Sequence, residues 1–477
     1  MQSTISSLIW KFAESISSQA VTFIVSIVIA RILSPSDYGV IAMVFVFTAI
    51  AQTFIDGGFN SALVQKKNAD DLDFSSVLYF SVAVSIVLYA ALFFAVPYIA
   101  DYYGDEYDLL PPVFRILGLR LIISAVNAVQ QAYVQKKMMF KNFFWATLVG
   151  TVISGIIGVI MAYMGFGVWA LVAQNLIAAL VNTITLFVLT RKTPIWNFSF
   201  QRLRGLLGFG SKILGSSLLI TTYVELRAMI IGKVYSASDL AYFDRARQFP
   251  GLFVNNINAT IGAVLFPKLS MEQDNLSVLK SSIRRSLRFT TFIMCPLLMG
   301  LVSASEPLIR LLLTDKWIMC VPIMQIMCIV DLFQPIYTAN TQALKAIGAS
   351  GWIFKLEIVK KTMELVTLLC VMRISVMAIV INMVVMAILF NFAFVYPNKK
   401  LLGYTFKEQM QDVAPGFIMG TIISASVYML NYASLPDILK LILMVVSGGA
   451  LYIAMSQLTH NKEYEYVVEL IKNKIKK

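Results

Sequence analysis

Asp244, Arg247, Gln248, Gly251, Asn255 and Asn258 are spaced +3, +4, +7, +11 and +14 from the first of them. That spacing puts all six on one face of a single helix. An arginine guanidinium can grip a phosphate through two parallel N–H···O bonds, and carboxamides offer both donors and acceptors to hydroxyl groups. Asp244 either holds Arg247 in place or carries a coupling proton or cation. Arg245 lies one residue's turn off the stripe and can face either way, while Asn256 adds another amide beside it. Pro250 sits mid-stripe and leaves the carbonyl of Ala246 without its helical donor, which makes it a candidate kink and gating hinge.

A weaker stripe, Thr48, Gln52, Asp56 and Asn60, runs at i+4 steps, with Gly57 and Gly58 beside it to permit close helix approach. Lys11 and Glu14 fall near the same depth. They form either an ion pair that only finishes a helix end or, with Asp56, part of a gate. Arg120, Glu225, Arg227 and Asp331 are further charges in apolar surroundings. For Arg120 and Arg227 an interhelical salt bridge and a cavity role are both open. Glu357, Lys360, Lys361 and Glu364 pair at i, i+4 in both directions and read as a self-satisfied ladder. His460 is the sole histidine, and four cysteines sit in or beside apolar runs as small hydrophobes. No metal site, histidine-based catalysis or P-loop is expected, so the reading is of a non-enzyme without cofactors.

The elements that must carry these residues follow from composition. Of 477 residues 58% are hydrophobic and 14% charged, with mean hydropathy +0.76; soluble domains carry about 25% charged residues. A bilayer core takes about 20 residues of helix, and fourteen stretches of that size are predicted: 12–33, 39–62, 75–99, 112–134, 143–163, 167–189, 211–232, 239–264, 286–305, 318–341, 354–372, 375–396, 412–430 and 437–456. No small-residue cleavage site follows the first apolar stretch, so it reads as a retained span. A charge at the bilayer centre costs about 2.5–3.5 kcal/mol on insertion scales. A polar stripe as long as that of 244–258 must therefore line something wet.

The net charge of +13 is distributed by topology. Lysine and arginine collect in "QKKN", "QKKMMFK", "RKTPIWNFSFQRLR", the 267–285 loop and the terminal "IKNKIKK", whereas "DYYGDEYD" and "MGFG" are poor in them. The positive-inside rule then makes the former and both termini cytoplasmic, in contact with anionic headgroups. The charge is not a nucleic-acid footprint. Residues 196–209 read as a short interfacial helix capped by Ser199. The tail from Tyr464 reads as either membrane-bound or solvated.

"SPSDYGVIA" at residues 34–42 recurs as "SASDLAYFD" at residues 236–244, a shift of 202. Each copy is a helix start, with Ser34 or Ser236 as cap and Asp37 or Asp239 reaching back to it. The same shift lays span 7 on span 1 and Asp56 on Asn258. An even number of intervening spans makes the repeat parallel, which places a substrate site near the midplane between halves. The expected fold is thus an all-α polytopic membrane protein of about fourteen transmembrane helices. Two six-helix lobes, 1–190 and 211–396, flank a cytoplasmic linker at 191–210, and 397–477 adds two helices and a basic tail.

The stretches "LIWKFAESISSQAVTFIVSIVIARILSPSDYGVIAM", "FIDGGFNSALVQKK", "AYFDRARQFPGLFVNN" and "AVLFPKLS" resemble polysaccharide-biosynthesis proteins of the multidrug/oligosaccharidyl-lipid/polysaccharide exporter superfamily, Wzx-type flippases in particular. The resemblance implies two lobes working by alternating access in a bacterial inner membrane. The implied cargo is polyprenyl-pyrophosphate-linked oligosaccharide for O-antigen, capsule or exopolysaccharide. Membrane lipids, a polysaccharide polymerase and chain-length proteins would be partners, and nucleic acid would not. On that reading a cationic cavity formed by Arg247 and Arg245 with Arg227 and Arg120 attracts the pyrophosphate, and Gln248, Asn255 and Asn258 meet the sugars. Asp56, Asp244, Lys11, Glu14 and Pro250 are the coupling and gating candidates. A cation-coupled multidrug exporter of the same superfamily is the alternative, and it would depend on Asp56, Asp244 and Asp331.

Overall fold

The computed structural model describes residues 2–56, 59–66, 68–191, 195–271 and 275–475; Gly57 and Gly58 lie outside them. The described residues fold into helices and form two compact units, Met1–Ala241 and Tyr242–Lys477. The first contains α1 (Gln2–Ile32), α2 (Pro35–Asp56), α3 (Phe59–Gln65), α4 (Asp71–Tyr103), α5 (Leu110–Leu117), α6 (Arg120–Lys136), α7 (Phe140–Tyr163), α8 (Val168–Thr190) and α9 (Phe200–Val234). Then α10 (Ala237–Met271) runs on into the second unit. There it is followed by α11 (Leu276–Leu313), α12 (Cys320–Asp331), α13 (Gln334–Ala346), α14 (Ser350–Val371), α15 (Val376–Leu402), α16 (Phe406–Tyr428), α17 (Asp437–Leu458) and α18 (Lys462–Ile475). The repeat boundary near residue 210 concerns sequence register, the division after Ala241 concerns packing, and the two do not coincide.

Each predicted span is largely helical over its described residues, and the protein is a multi-pass membrane protein. Eleven helical stretches among the described residues are long and apolar enough to cross a bilayer, or twelve if the bent pair Asp105–Leu117 and Arg120–Lys136 is one span. The other two predicted spans are α10 and α14. Both form as helices, but the charges singled out above keep them below the apolarity of a lipid-facing span. The count of fourteen is compatible with this.

The structure revises three expectations. The stretch 196–209 is not a separate interfacial helix. Ser199 does cap it, accepting from the Arg202 N–H at 3.4 Å, but the helix runs unbroken through Val234. Gly205, Gly208 and Gly210 lower helix propensity by only about 1 kcal/mol each and do not break a chain lacking proline. The 267–285 loop is likewise mostly helix, because α10 and α11 extend beyond apolar length. The C-terminal helix is docked: Glu463 meets Arg288 at 3.0 Å and Tyr466 lies 4.5 Å beneath Arg285. Of the cysteines, Cys295, Cys320 and Cys328 are buried as expected, while Cys370 is exposed.

Helix starts form as the sequence dictates. Ser34 and Ser236 donate from Oγ to Asp37 and Asp239 at 2.6 and 2.7 Å, and the aspartate N–H groups donate back at 3.2 and 3.0 Å. The two copies of the phrase also meet. A side chain on Gly39 would fall on the carbonyl of Ala237, so only glycine allows the start of α2 to lie against the start of α10. Glu106 accepts from the Ala237 N–H at 2.7 Å at the same junction, satisfying one of the orphan donors of a helix N-terminus. In the second unit Gly416 and Gly420, spaced as a small-xxx-small pair, let α16 approach the α11 backbone. Added β-carbons there would come within 3.1 Å of the Thr291 and Cys295 carbonyls.

Candidate functional site

Within the first unit α1, α2, α3, α5, α6, α7 and α8 line an open cavity of about 1120 Å³. Each longer helix contributes a single stripe. On α2 it is Thr48, Gln52 and Asp56, continued by Asn60 on α3; on α6 it is Arg120, Ser124, Asn127, Gln131 and Gln135; on α8 it is Asn175 and Asn182. Thr147 and Thr151 come from α7 and Glu14 from α1. The spacings of 3, 4 and 7 give each helix one wet face while its remaining surface packs or meets lipid.

The amides bond across helices. Gln131 donates to Asn127 at 2.5 Å, Asn127 to Asn182 at 2.7 Å and to Thr183 at 2.8 Å, and Asn182 to Thr147 at 3.3 Å. This chain ties α6, α8 and α7 together. Gln52 donates to Asp56 at 3.0 Å, and Lys11 meets Glu14 at 2.7 Å while its ammonium lies 4.6 Å from the centre of the Phe143 ring. The Lys11–Glu14 pair therefore forms, and Glu14 lines the cavity as well. The guanidinium of Arg120 lies over Phe45 at 5.6 Å, a cation–π contact rather than a salt bridge. Asn60 Oδ1 is buried without a hydrogen-bond partner. The cavity thus gathers Asp56, Glu14 and Arg120, which the sequence singled out on separate helices.

The α10 stripe belongs to the second unit. Asp244, Arg247, Gln248 and Asn255 are exposed there, and Arg247 bonds Asp244 at 3.0 Å one turn away. Arg245 points the other way. It is 8% exposed, donates to Gln248 at 2.8 Å and lies 5.7 Å over the Trp317 ring. Its side chain is engaged in packing α10 and does not share the exposed face of Arg247. Pro250 is buried in a helix that continues through it. The Oδ1 of Asn258, at the position equivalent to Asp56, is buried and unpartnered.

The remaining charges separate. Arg227 donates to Tyr223 on the same helix at 3.0 Å. Glu357 accepts from Tyr337 at 2.6 Å, Lys360 lies 4.3 Å over that ring, and Lys361 meets Glu364 at 3.3 Å. The Glu357 and Lys360 contacts tie α14 to α13, and Lys361–Glu364 lies along α14 itself. Asp331 closes α12 and is half-buried. No cluster of potential metal ligands occurs among the described residues.

Sequence reasoning passed over Ser124, Asn127, Gln131, Asn175 and Asn182. The signal for α6 was present, since Arg120, Ser124, Asn127 and Gln131 are as regularly spaced as the α10 stripe. Without charge beyond Arg120 it did not stand out from an ordinary polar helix face.

This arrangement can be compared with known proteins. ExoT of Rhizobium meliloti (strain 1021), a succinoglycan biosynthesis transport protein, is 23% identical over 346 residues, 72% of this chain and 69% of that protein. WzxC of Escherichia coli (strain K12), a lipopolysaccharide biosynthesis protein, is 23% identical over 367 residues, 75% of this chain and 73% of its own. The lipid II flippase MurJ, in an inward closed conformation, shares the fold with a TM-score of 0.76 at 16% identity, covering 95% of this chain and 99% of that one. Residues 28–322, more than half of the sequence, match the family described as polysaccharide biosynthesis protein, and the chain belongs to that family.

Proposed function

We propose that this chain flips lipid-linked oligosaccharide from the cytoplasmic to the outer leaflet of a bacterial inner membrane, for assembly of a surface polysaccharide. The observation that carries this reading is the exposed polar face of α10, Asp244 to Asn255, within an apolar bundle of the polysaccharide biosynthesis family. Arg247 supplies a forked donor for the pyrophosphate, and Gln248 and Asn255 supply hydrogen bonds to sugars. Two relatives are named for polysaccharide transport or biosynthesis, and a protein of the same fold is a lipid II flippase. The cargo leaves chemically unchanged, so no catalytic residue is assigned. In this reading residues 1–190 and 211–396 are the repeated lobes of an alternating-access cycle, with 191–210 as their linker and 397–477 as an appendage.

Deleting the gene is expected to accumulate polyprenyl-linked glycan and remove the surface polymer. A deletion strain with normal polymer and no lipid-linked intermediate would defeat the flippase reading. Of the three carboxylates that the multidrug-exporter alternative would use, Asp244 is bonded by Arg247 and Asp56 by Gln52, while Asp331 stands half-buried at the end of α12. Cationic-dye export lost on Asp244→Asn would favour it.

Orientation is proposed from the basic-residue asymmetry, with both termini cytoplasmic. Asp105→Cys should react with an impermeant thiol reagent added to intact cells, and Ser277→Cys only after lysis. Both positions are exposed, so the opposite pattern would invert the topology.

A further inference from the structure

Arg245 is a charge that its place in the fold does not require. Counted from the Ser34 and Ser236 caps, Met43 and Arg245 occupy equivalent positions on α2 and α10. Their surroundings correspond as well. Gly104 and Thr314 both take left-handed backbone, and each is followed by a single 3-10 turn, Asp105–Tyr107 or Asp315–Trp317, whose aromatic residue is buried. The Met43 methyl and the Tyr107 hydroxyl both adjoin Gly232, while Arg245 lies over the Trp317 ring. Met43 is fully buried, so an unbranched apolar side chain fills this niche in the first unit. A guanidinium in the matching niche of the second unit is costly unless its N–H groups are bonded. Packing accounts for a methionine there and not for the charge.

What the charge reaches is Gln248, one turn on and exposed. A guanidinium only donates, so the Gln248 atom that meets Arg245 Nη1 at 2.8 Å is the amide oxygen. The amide is thereby fixed with its oxygen turned to the buried guanidinium and its two N–H groups turned away from it. Among the described residues none accepts from those N–H groups. Val46, which stands on α2 where Gln248 stands on α10, is buried and apolar. Charge and amide therefore occur together on α10 and are both absent from α2.

We infer that Arg245 is a positioning residue for cargo recognition: by occupying the Gln248 carbonyl it presents Gln248 to the cargo as a donor only, next to the Arg247 fork. This turn of α10 then selects acceptor oxygens of the cargo. The inference rests on the flippase reading and deepens it, since it fixes the direction in which the Gln248 hydrogen bonds run.

The test measures surface polymer in the deletion strain complemented with full-length variants at matched membrane abundance. A deletion strain that keeps its polymer defeats the flippase reading and this inference with it. Where the polymer is lost on deletion, Arg245→Met is expected to reach wild-type abundance, as the Met43 niche indicates, and to lower export about twofold to tenfold, the scale of one neutral hydrogen bond. Gln248→Leu should lower it as much. The double variant should lose no more than either single one, because both remove the same oriented donor. Gln248→Glu keeps the bond from Arg245 and puts an acceptor where the donor was. Its abundance should hold while export falls further than in Gln248→Leu. Wild-type export by Gln248→Glu overturns the donor assignment, and it does so even where Arg245→Met proves too unstable to assay. Full export by Arg245→Met, or losses that multiply in the double variant, would make Arg245 a packing residue and leave the flippase reading intact.

Discussion

Asp412→Ala should destabilise the second unit by about 3 kcal/mol, the lower end of the range for removing one partner of a buried ion pair. Asp412 is 4% exposed on α16 and accepts from Arg284 Nε at 2.8 Å and Nη2 at 3.0 Å, from Tyr404 Oη at 2.8 Å and from Arg288 at 3.5 Å. Truncation leaves a guanidinium fork and a buried phenol without their acceptor. Arg284 retains some solvent and Glu408 at 3.5 Å, which is why the lower figure applies. Arg288 also holds Glu463, so the loss should reach the C-terminal helix. The checks are a lower unfolding midpoint in detergent and faster tryptic cleavage at Lys472. Asp412→Asn keeps an acceptor for Tyr404 and should fall between. An unchanged midpoint for Asp412→Ala would show that this cluster holds nothing together.

Arg247→Ala should leave the fold intact and reduce polysaccharide export about tenfold to a hundredfold. The pair with Asp244 is half-exposed, and exposed ion pairs contribute about 0–1 kcal/mol to stability. A charge-assisted contact to cargo is worth about 1.5–3 kcal/mol, which sets the expected loss. Arg247→Lys should recover part of the activity, since the charge remains and the fork does not. Asp244→Asn should be mild if the carboxylate only orients Arg247, and severe if it carries a coupling proton. Arg245→Ala should instead lower protein abundance, because Arg245 is buried beside Trp317. The measurement is surface polymer in the deletion strain at matched membrane abundance. Full export by Arg247→Ala would remove this residue from cargo binding.

The sequence by itself determined the class, the apolar spans and the two Ser-x-x-Asp helix starts, but not that α9 runs unbroken from Phe200 or that α10 and α11 extend past their apolar lengths. Apolar run length dictates membrane helices because the backbone must satisfy its hydrogen bonds internally in lipid. The Ser-x-x-Asp spacing dictates the caps because both groups belong to one turn. It also located the α10 stripe, since periodicity is a local property. Only tertiary structure decided what each polar residue faces. Arg245 and Arg247 are two residues apart, yet one is buried beside Trp317 and the other exposed beside Asp244. Asp56, Glu14, Arg120 and Asn182 come from four helices and share one cavity because α2, α1, α6 and α8 turn their wet faces inward together. Helical spacing fixes which residues share a face. Which faces converge is set by packing between helices distant in sequence, and that information is carried by contacts such as Gly39 against Ala237 rather than by any one segment.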